Sequence, residues 1–335
     1  MPNKQKMLAR IDCGKCVGLE IGPLTQPVVT KEDGEIYYLD HLSTEDLRRK
    51  YADHPTVDKS KIVEVSFVAP DGDLIRACGE RRFDYVIASH VIEHIPNTIG
   101  WLHQVASLLH TGGKLALAIP DKRYTFDQFR LLTPLGDIIQ CWLENRRNPS
   151  AKHVFDYCAN VALADARRIW EGAGPQTADE APHYYTLEQA LQLAQHQFAT
   201  DEYFDAHCHV FTPASFLDIL ADLTRLGLLD FICIDFQTTA RYEIEFYVTL
   251  EKVYPGFDRH LQLESINRFR SAIHSEHHAG AERDENMRRI QALEAEVEQW
   301  QREARMLRQS LSWKITAPLR RISGLLLQRG RPQGG

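Results

Sequence analysis

His90-Val-Ile-Glu93-His94 places two imidazoles and a carboxylate within one short stretch. Taken literally this is the H-x-x-E-H pattern of a group of zinc peptidases. That chemistry needs both histidines on a helix and a further carboxylate ligand downstream. Here the pattern follows directly on an apolar, β-prone run, so it is read as no metal site. Cys13 and Cys16 form a lone C-x-x-C with no second pair, which is a weak metal or redox signal. His207-Cys208-His209 offers two more imidazoles, but it reads first as a polar entry to the helix capped at Thr212. Histidine is the side chain suited to moving protons near neutral pH. The first choices for such a base are His94 and His90, with Asp121 and His209 behind them.

The elements that would position these groups alternate along the chain. Apolar, β-branched runs at 16–21, 35–39, 62–67, 83–88 and 114–119 end in turn signals, as buried parallel strands do. Between them, Ser43-Thr44-Glu45-Asp46 opens a helix with a capping pattern. A second helix, over 99–109, stops at Gly112-Gly113. Thr212-Pro213 caps a third over 214–226, which Gly227 closes, and strand-like runs follow at 230–236 and 242–250. The link between those last runs is too short for a helical crossover, so they form an antiparallel hairpin. The expected fold is α/β, a Rossmann-like, mostly parallel seven-stranded sheet with a terminal antiparallel hairpin and a helical insert after strand 5.

Four ordered pieces resemble class I S-adenosylmethionine (SAM) dependent methyltransferases. Glu20-Ile21-Gly22 matches the first motif, and Tyr38-Leu39-Asp40 the acidic end of the second strand. The run 83–89 followed by Glu93-His94-Ile95 matches the fourth strand and its continuation, and Gly112-Gly113-Lys114 through Pro120 matches the turn into the fifth. The resemblance implies SAM as cofactor, bordered by Glu20, Gly22 and Pro23 at the first turn and by Asp40 and His41 at the ribose. Asp71, Asp73 and Leu74 would border the adenine, and Ser89 and His90 the methionine end. Gly22 would let the backbone approach the cofactor closely, and a carboxylate such as Asp40 can hold both ribose hydroxyls. The departure is in the first turn, where Pro23 and Pro27 stand in a stretch that lacks the later glycines and the helical periodicity of the family. Either a proline-fixed loop replaces the glycine turn and first helix, or the site is degenerate.

Composition narrows the partners. A net charge of −7 argues against nucleic acid, and the seven scattered cysteines argue against a disulfide framework. No window approaches the ~18 apolar residues of a membrane span, and the chain reads as cytoplasmic. The expected organisation is a methyltransferase domain at 1–255 with an insert or lid at 121–205, a linker at 256–280, a coiled coil at 281–311 and a basic amphipathic tail at 312–335. The coiled coil implies a homo-oligomer, and the tail implies peripheral contact with the inner face of the membrane. Its SWKITAPLR stretch resembles the ending of bacterial enzymes that build surface polysaccharides, including glycosyltransferases, which would be partners. That resemblance implies a sugar hydroxyl of a nascent glycan as methyl acceptor. A small-molecule methyltransferase and a non-catalytic adaptor with this fold remain the alternatives.

Overall fold

The computed structural model describes residues 3–55 and 57–273. The chain divides into two units, Met1–Ile273 and His274–Gly335, so the coiled coil expected at 281–311 and the tail at 312–335 lie outside the described residues.

The first unit is built on one sheet of β1 (Gly18–Ile21), β2 (Ile36–Asp40), β3 (Phe67–Val68), β4 (Phe83–Ser89), β5 (Leu109–Pro120), β6 (Phe231–Gln237) and β7 (Glu245–Lys252). Its order is β3-β2-β1-β4-β5-β7-β6. The first five strands run parallel, and β7 lies antiparallel between β5 and β6. From Tyr85 onward alternate residues of β4 face opposite sides, as a period of two requires, and a register shift between Phe83 and Tyr85 puts Phe83 on the side of Val86. Phe83, Val86 and Ala88 join the larger core with α4 (Thr98–Leu108) and α9 (Pro213–Leu226), while Tyr85 and Ile87 join a smaller one. In α9, Phe216, Leu217, Leu220 and Leu223 are buried, each stabilising the fold by about 2 kcal/mol. Thr212 and Ser215 form its capping box, Pro213 starts it, and Gly227 ends it at φ +71°. The smaller core is covered by α1 (Lys4–Met7) through Met7 and by the stretch after β1 through Val28 and Val29. A loop therefore does there what a helix usually does.

Two expectations change. The third strand is only Phe67–Val68 instead of 62–67. The preceding residues leave the ladder: Val63 donates its N–H to the Leu24 carbonyl, and Ser66 Oγ replaces a backbone acceptor for Tyr38. The domain also does not end at 255, because a helix at 259–273 belongs to the core. Ile266 and Ile273 are buried, Ser265 Oγ accepts from the Cys233 N–H, and the Arg268 guanidinium donates to the Cys233 and Ile234 carbonyls. These bonds occupy backbone groups that edge strand β6 would otherwise expose.

The insert follows β5 with α5 (Leu135–Leu143), α6 (Ala151–Asn160), α7 (Ala166–Trp170) and α8 (Leu187–Thr200). It carries a small core of its own, in which Val154, Cys158 and Ala190 are buried. Arg130, 1% exposed, ties it to the body through Asp127, Asp156 and the His207 carbonyl.

Candidate active site

The parallel strands reverse direction of travel across the sheet between β1 and β4, and open α/β sheets take ligands beyond the carboxyl ends of strands at such a point. Gly22 leaves β1 exposed and at φ +68°, with its N–H donated to the Leu39 carbonyl at 2.9 Å. Pro23 is buried behind it, and Leu24 holds φ +47°. That conformation costs a side-chain-bearing residue about 1 kcal/mol. Gly22 and Leu24 thus give this turn two left-handed residues within three positions.

Glu20 has a different place from the one expected. It is 1% exposed, Oε1 accepts from the Val28 N–H at 2.7 Å, and Oε2 accepts from the Val29 N–H at 3.2 Å. Tyr38 Oη donates to the Val29 carbonyl at 2.8 Å, and Asp33 caps Thr30 beyond it. Glu20 thus anchors the loop that borders the crevice. Burial pushes its carboxyl up to about 7, against the pull of the two amides and Lys4.

Asp40 ends β2 with its carboxylate 7% exposed. Oδ1 accepts from the His41 backbone N–H at 2.7 Å and lies 2.6 Å from His41 Nδ1. The residues expected at the adenine are engaged locally. Asp71 pairs with Arg76 at 2.6 Å and Arg147 at 3.2 Å, Asp73 caps α3 (Leu74–Cys78), and Leu74 is buried in the core.

Ser89 ends β4, and His90 follows at φ +53°, a strained turn of the kind that collects at functional sites. The turn brings His90 Nε2 to 2.5 Å from Glu245 Oε2 and leaves Nδ1 at 3.6 Å from Glu93 Oε1. Tyr247 Oη donates to Glu245 Oε1 at 2.5 Å and accepts from the Asn3 N–H at 2.9 Å. Burial disfavours the charged imidazole, but the Glu245 hydrogen bond and the charges of Glu93 and Glu245 outweigh it and raise the His90 pKa. Burial likewise opposes ionisation of Glu245, and the bonds from His90 and Tyr247 reverse this and lower its pKa.

Glu93 and His94 occupy a single turn after β4, at Ile92–His94, and the structure brings His207 against them. The His94 and His207 rings meet edge to face at 4.6 Å. His94 Nδ1 is 3.0 Å from Asp205 Oδ1 but out of line for a hydrogen bond, and His207 Nδ1 is 2.6 Å from Asp127 Oδ2. Two proposed bases are not placed for proton transfer. Asp121 is fully buried, bidentate with Arg123 and bonded by Thr239 Oγ1 at 2.7 Å. His209 Nε2 lies 3.0 Å from the Pro96 carbonyl, and burial pushes its pKa down to about 4. Its role is structural. The aromatics of the insert mostly build the insert, as Tyr124 stacked on Trp170 at 3.8 Å illustrates. Glu245 carries no local sequence signal, and Asp127, which the sequence offers only among the insert's acids, pairs with His207. Each meets its histidine across a sequence separation of 155 or 80 residues, and no local pattern signals such a pairing.

A family model described as a methyltransferase domain matches residues 13–223. The match spans more than half of the chain, which belongs to this methyltransferase family. It is a SAM-dependent methyltransferase, and SAM is its cofactor. No curated protein matches the sequence. Among solved structures, the CcbJ methyltransferase from Streptomyces caelestis is similar at 14% identity, over 76% of this chain and 91% of that one, with a TM-score of 0.39. The glycopeptide N-methyltransferase MtfA, complexed with sinefungin, is similar at 17% identity over 35% of this chain and 53% of that one, with a TM-score of 0.26. A Burkholderia thailandensis 1,6-didemethyltoxoflavin-N1-methyltransferase with bound 1,6-didemethyltoxoflavin and S-adenosylhomocysteine is similar at 13% identity, over 75% and 76% of the two chains, with a TM-score of 0.34.

Proposed function

We propose that this chain methylates a hydroxyl oxygen on a sugar of a nascent cell-surface polysaccharide. The observation that carries O-methylation is the His90–Glu245 pair, held at the carboxyl end of β4 by Tyr247 and by the strained turn at His90. Gly22 and the loop anchored by Glu20 would hold the cofactor's backbone-facing side, and Asp40 its ribose, with Oδ1 already oriented by His41. Bound there, SAM supplies a methyl group on a sulfonium sulfur and leaves as S-adenosylhomocysteine. The acceptor hydroxyl gives its proton to His90 Nδ1 as its oxygen forms the new bond to the methyl carbon. SAM would leave with the electron pair of its carbon–sulfur bond, and Glu245 would stabilise the imidazolium formed on His90. Alignment in the crevice accounts for most of the rate, and the base adds about 10²–10⁴-fold.

The glycan acceptor is supported by the SWKITAPLR stretch, which resembles the endings of polysaccharide-building enzymes. With it belong the further proposals of homo-oligomerisation through 281–311, contact of 312–335 with the inner membrane face, and glycosyltransferase partners. Among the described residues, no helix is long and apolar enough to cross a membrane. The test is incubation of the full chain with methyl-labelled SAM and, separately, lipid-linked glycans, free sugars and small hydroxylated metabolites. Label in the glycan fraction, lost in His90→Gln, is the expected result. Label only in small molecules moves the acceptor to another class. SAM binding without transfer to any acceptor favours the adaptor.

A further inference from the structure

We propose that Glu93, His94 and His207 form a binding site for one divalent transition-metal cation of the zinc class beside the methyl-transfer crevice. Their ligand atoms all lie within 4.8 Å of one another. Glu93 carries the argument. It is 0% exposed, and among the described residues neither carboxylate oxygen has a hydrogen-bond partner. A buried carboxylate without donors is strongly unfavourable unless a cation compensates it. His90 Nδ1 stands 3.6 Å from Oε1, too far for a hydrogen bond, and its Nε2 is already bonded to Glu245.

The imidazoles supply a second, independent observation. His207 Nδ1 is hydrogen-bonded to Asp127, and Arg130 holds Asp127 in turn at 2.8 Å. That leaves Nε2 as the lone-pair atom of a neutral imidazole, the carboxylate–histidine arrangement that orients metal-binding histidines. His94 Nδ1 is buried and out of line for a hydrogen bond to Asp205, so this ring also keeps a nitrogen free to ligate among the described residues. Two nitrogens and one carboxylate suit Zn²⁺, Fe²⁺, Co²⁺ or Mn²⁺ over Mg²⁺ or Ca²⁺, which prefer oxygen ligands. Donors at about 2.1 Å from a tetrahedral metal stand about 3.4 Å apart, so binding draws these three together by no more than about 1.4 Å. Three protein ligands leave a coordination position open, which a hydroxyl oxygen of the acceptor can take and be held by the Lewis acid.

The grouping differs from the peptidase pattern that the sequence suggests. His90 turns away to Glu245, Glu93 is a ligand instead of a base, and the third ligand arrives from His207, 113 residues beyond His94 in the chain. Sequence joins Glu93 to His94 but offers no local spacing that brings His207 to them.

The experiment uses the full chain stripped with a chelator and titrated with Zn²⁺ by calorimetry and with Co²⁺ by visible absorption, in the absence of SAM and acceptor. One cation per chain, nitrogen/oxygen-type Co²⁺ bands and a raised melting temperature are expected, with at least a tenfold loss of affinity in Glu93→Gln and in His94→Gln. His94 is the partly exposed ligand, so its variant keeps the test valid where Glu93→Gln fails to fold. Cys13→Ser is the control. Binding that disappears in Cys13→Ser and survives in His94→Gln, or no binding at all, overturns the proposal. Because no substrate is present, the outcome is independent of which acceptor the enzyme uses.

Discussion

Replacing Glu20 by glutamine should remove the pH dependence of stability that this carboxyl imposes on the loop after β1. In the fold, burial pushes the Glu20 carboxyl from its ordinary 4.5 up to about 7. The groups that face it are the Val28 and Val29 amides, Lys4 from α1 and the phenols of Tyr38 and Tyr85. A carboxyl with a raised folded pKa favours the fold while protonated. That contribution is complete below pH 4.5 and is lost as pH rises through about 7. At about 1.4 kcal/mol per pH unit, the loss amounts to about 3 kcal/mol by pH 8. Glutamine cannot ionise. Its carbonyl oxygen can still accept from the Val28 N–H, the shorter bond at 2.7 Å, but its NH₂ confronts the Val29 N–H and leaves that donor unpaired. The unpaired donor costs about 1–3 kcal/mol at every pH. Glu20→Gln should therefore be less stable than the parent at pH 5 and equal to it or more stable at pH 8. Urea unfolding followed by tryptophan fluorescence from pH 5 to 8.5 measures the difference directly. Parallel stability curves for the two proteins, with a constant offset, would refute the reasoning, because they would mean that Glu20 ionises in the fold as it does in the unfolded chain.

Three further outcomes follow from the same geometry. Asp40→Ala should weaken SAM binding by about 10–100-fold in calorimetry, the range expected on losing a charged hydrogen-bond partner, while circular dichroism stays unchanged. Unaltered affinity would place the ribose elsewhere. Gly22→Ala should destabilise the protein by at least about 1 kcal/mol in thermal unfolding, since alanine must adopt φ +68° while its Cβ meets Val91 Cγ2 at 3.4 Å. A neutral result would mean that the turn relaxes freely. Asp127→Asn should destabilise the protein by about 3–5 kcal/mol, because it leaves buried Arg130 with only Asp156 and the His207 carbonyl, and denaturant midpoints decide the matter.

What the sequence made legible is what local chemistry determines. The caps at Ser43 and Thr212, the stop at Gly227 and the hairpin all stand within a residue or three of their expected places, because side-chain to backbone bonds set them within a few residues. The third strand was overestimated because Ser66 and Val63 find partners outside the ladder, which apolar pattern alone does not reveal. The helix at 259–273 reads as linker in sequence because its core contacts, such as Ile266, depend on an edge strand far away in the chain. At the site, Asp40, Ser89 and His90 fall at strand ends, where topology alone positions them. The partners that define the chemistry, Glu245 and His207, come from chain segments more than 100 residues away from the residues they meet.

The glycine-poor first turn is explained by the same division between local and distant forces. A glycine turn normally feeds a helix that covers this face of the sheet, and here no helix is present between β1 and β2 among the described residues. Val28 and Val29 cover the face instead, and their backbone groups, which a helix would satisfy internally, are taken by Glu20 and Tyr38. The acidic residue of the motif has therefore moved from facing a ligand to replacing helical hydrogen bonds. The loop carries two prolines, and Gly22 and Leu24 hold left-handed backbone at its start. The departure from the family pattern is compensated within the loop, where the Val28 and Val29 amides and the Val29 carbonyl find side-chain partners. The unfavourable terms it introduces, a strained Leu24 and a carboxyl raised to about 7, are the ones that Glu20→Gln probes.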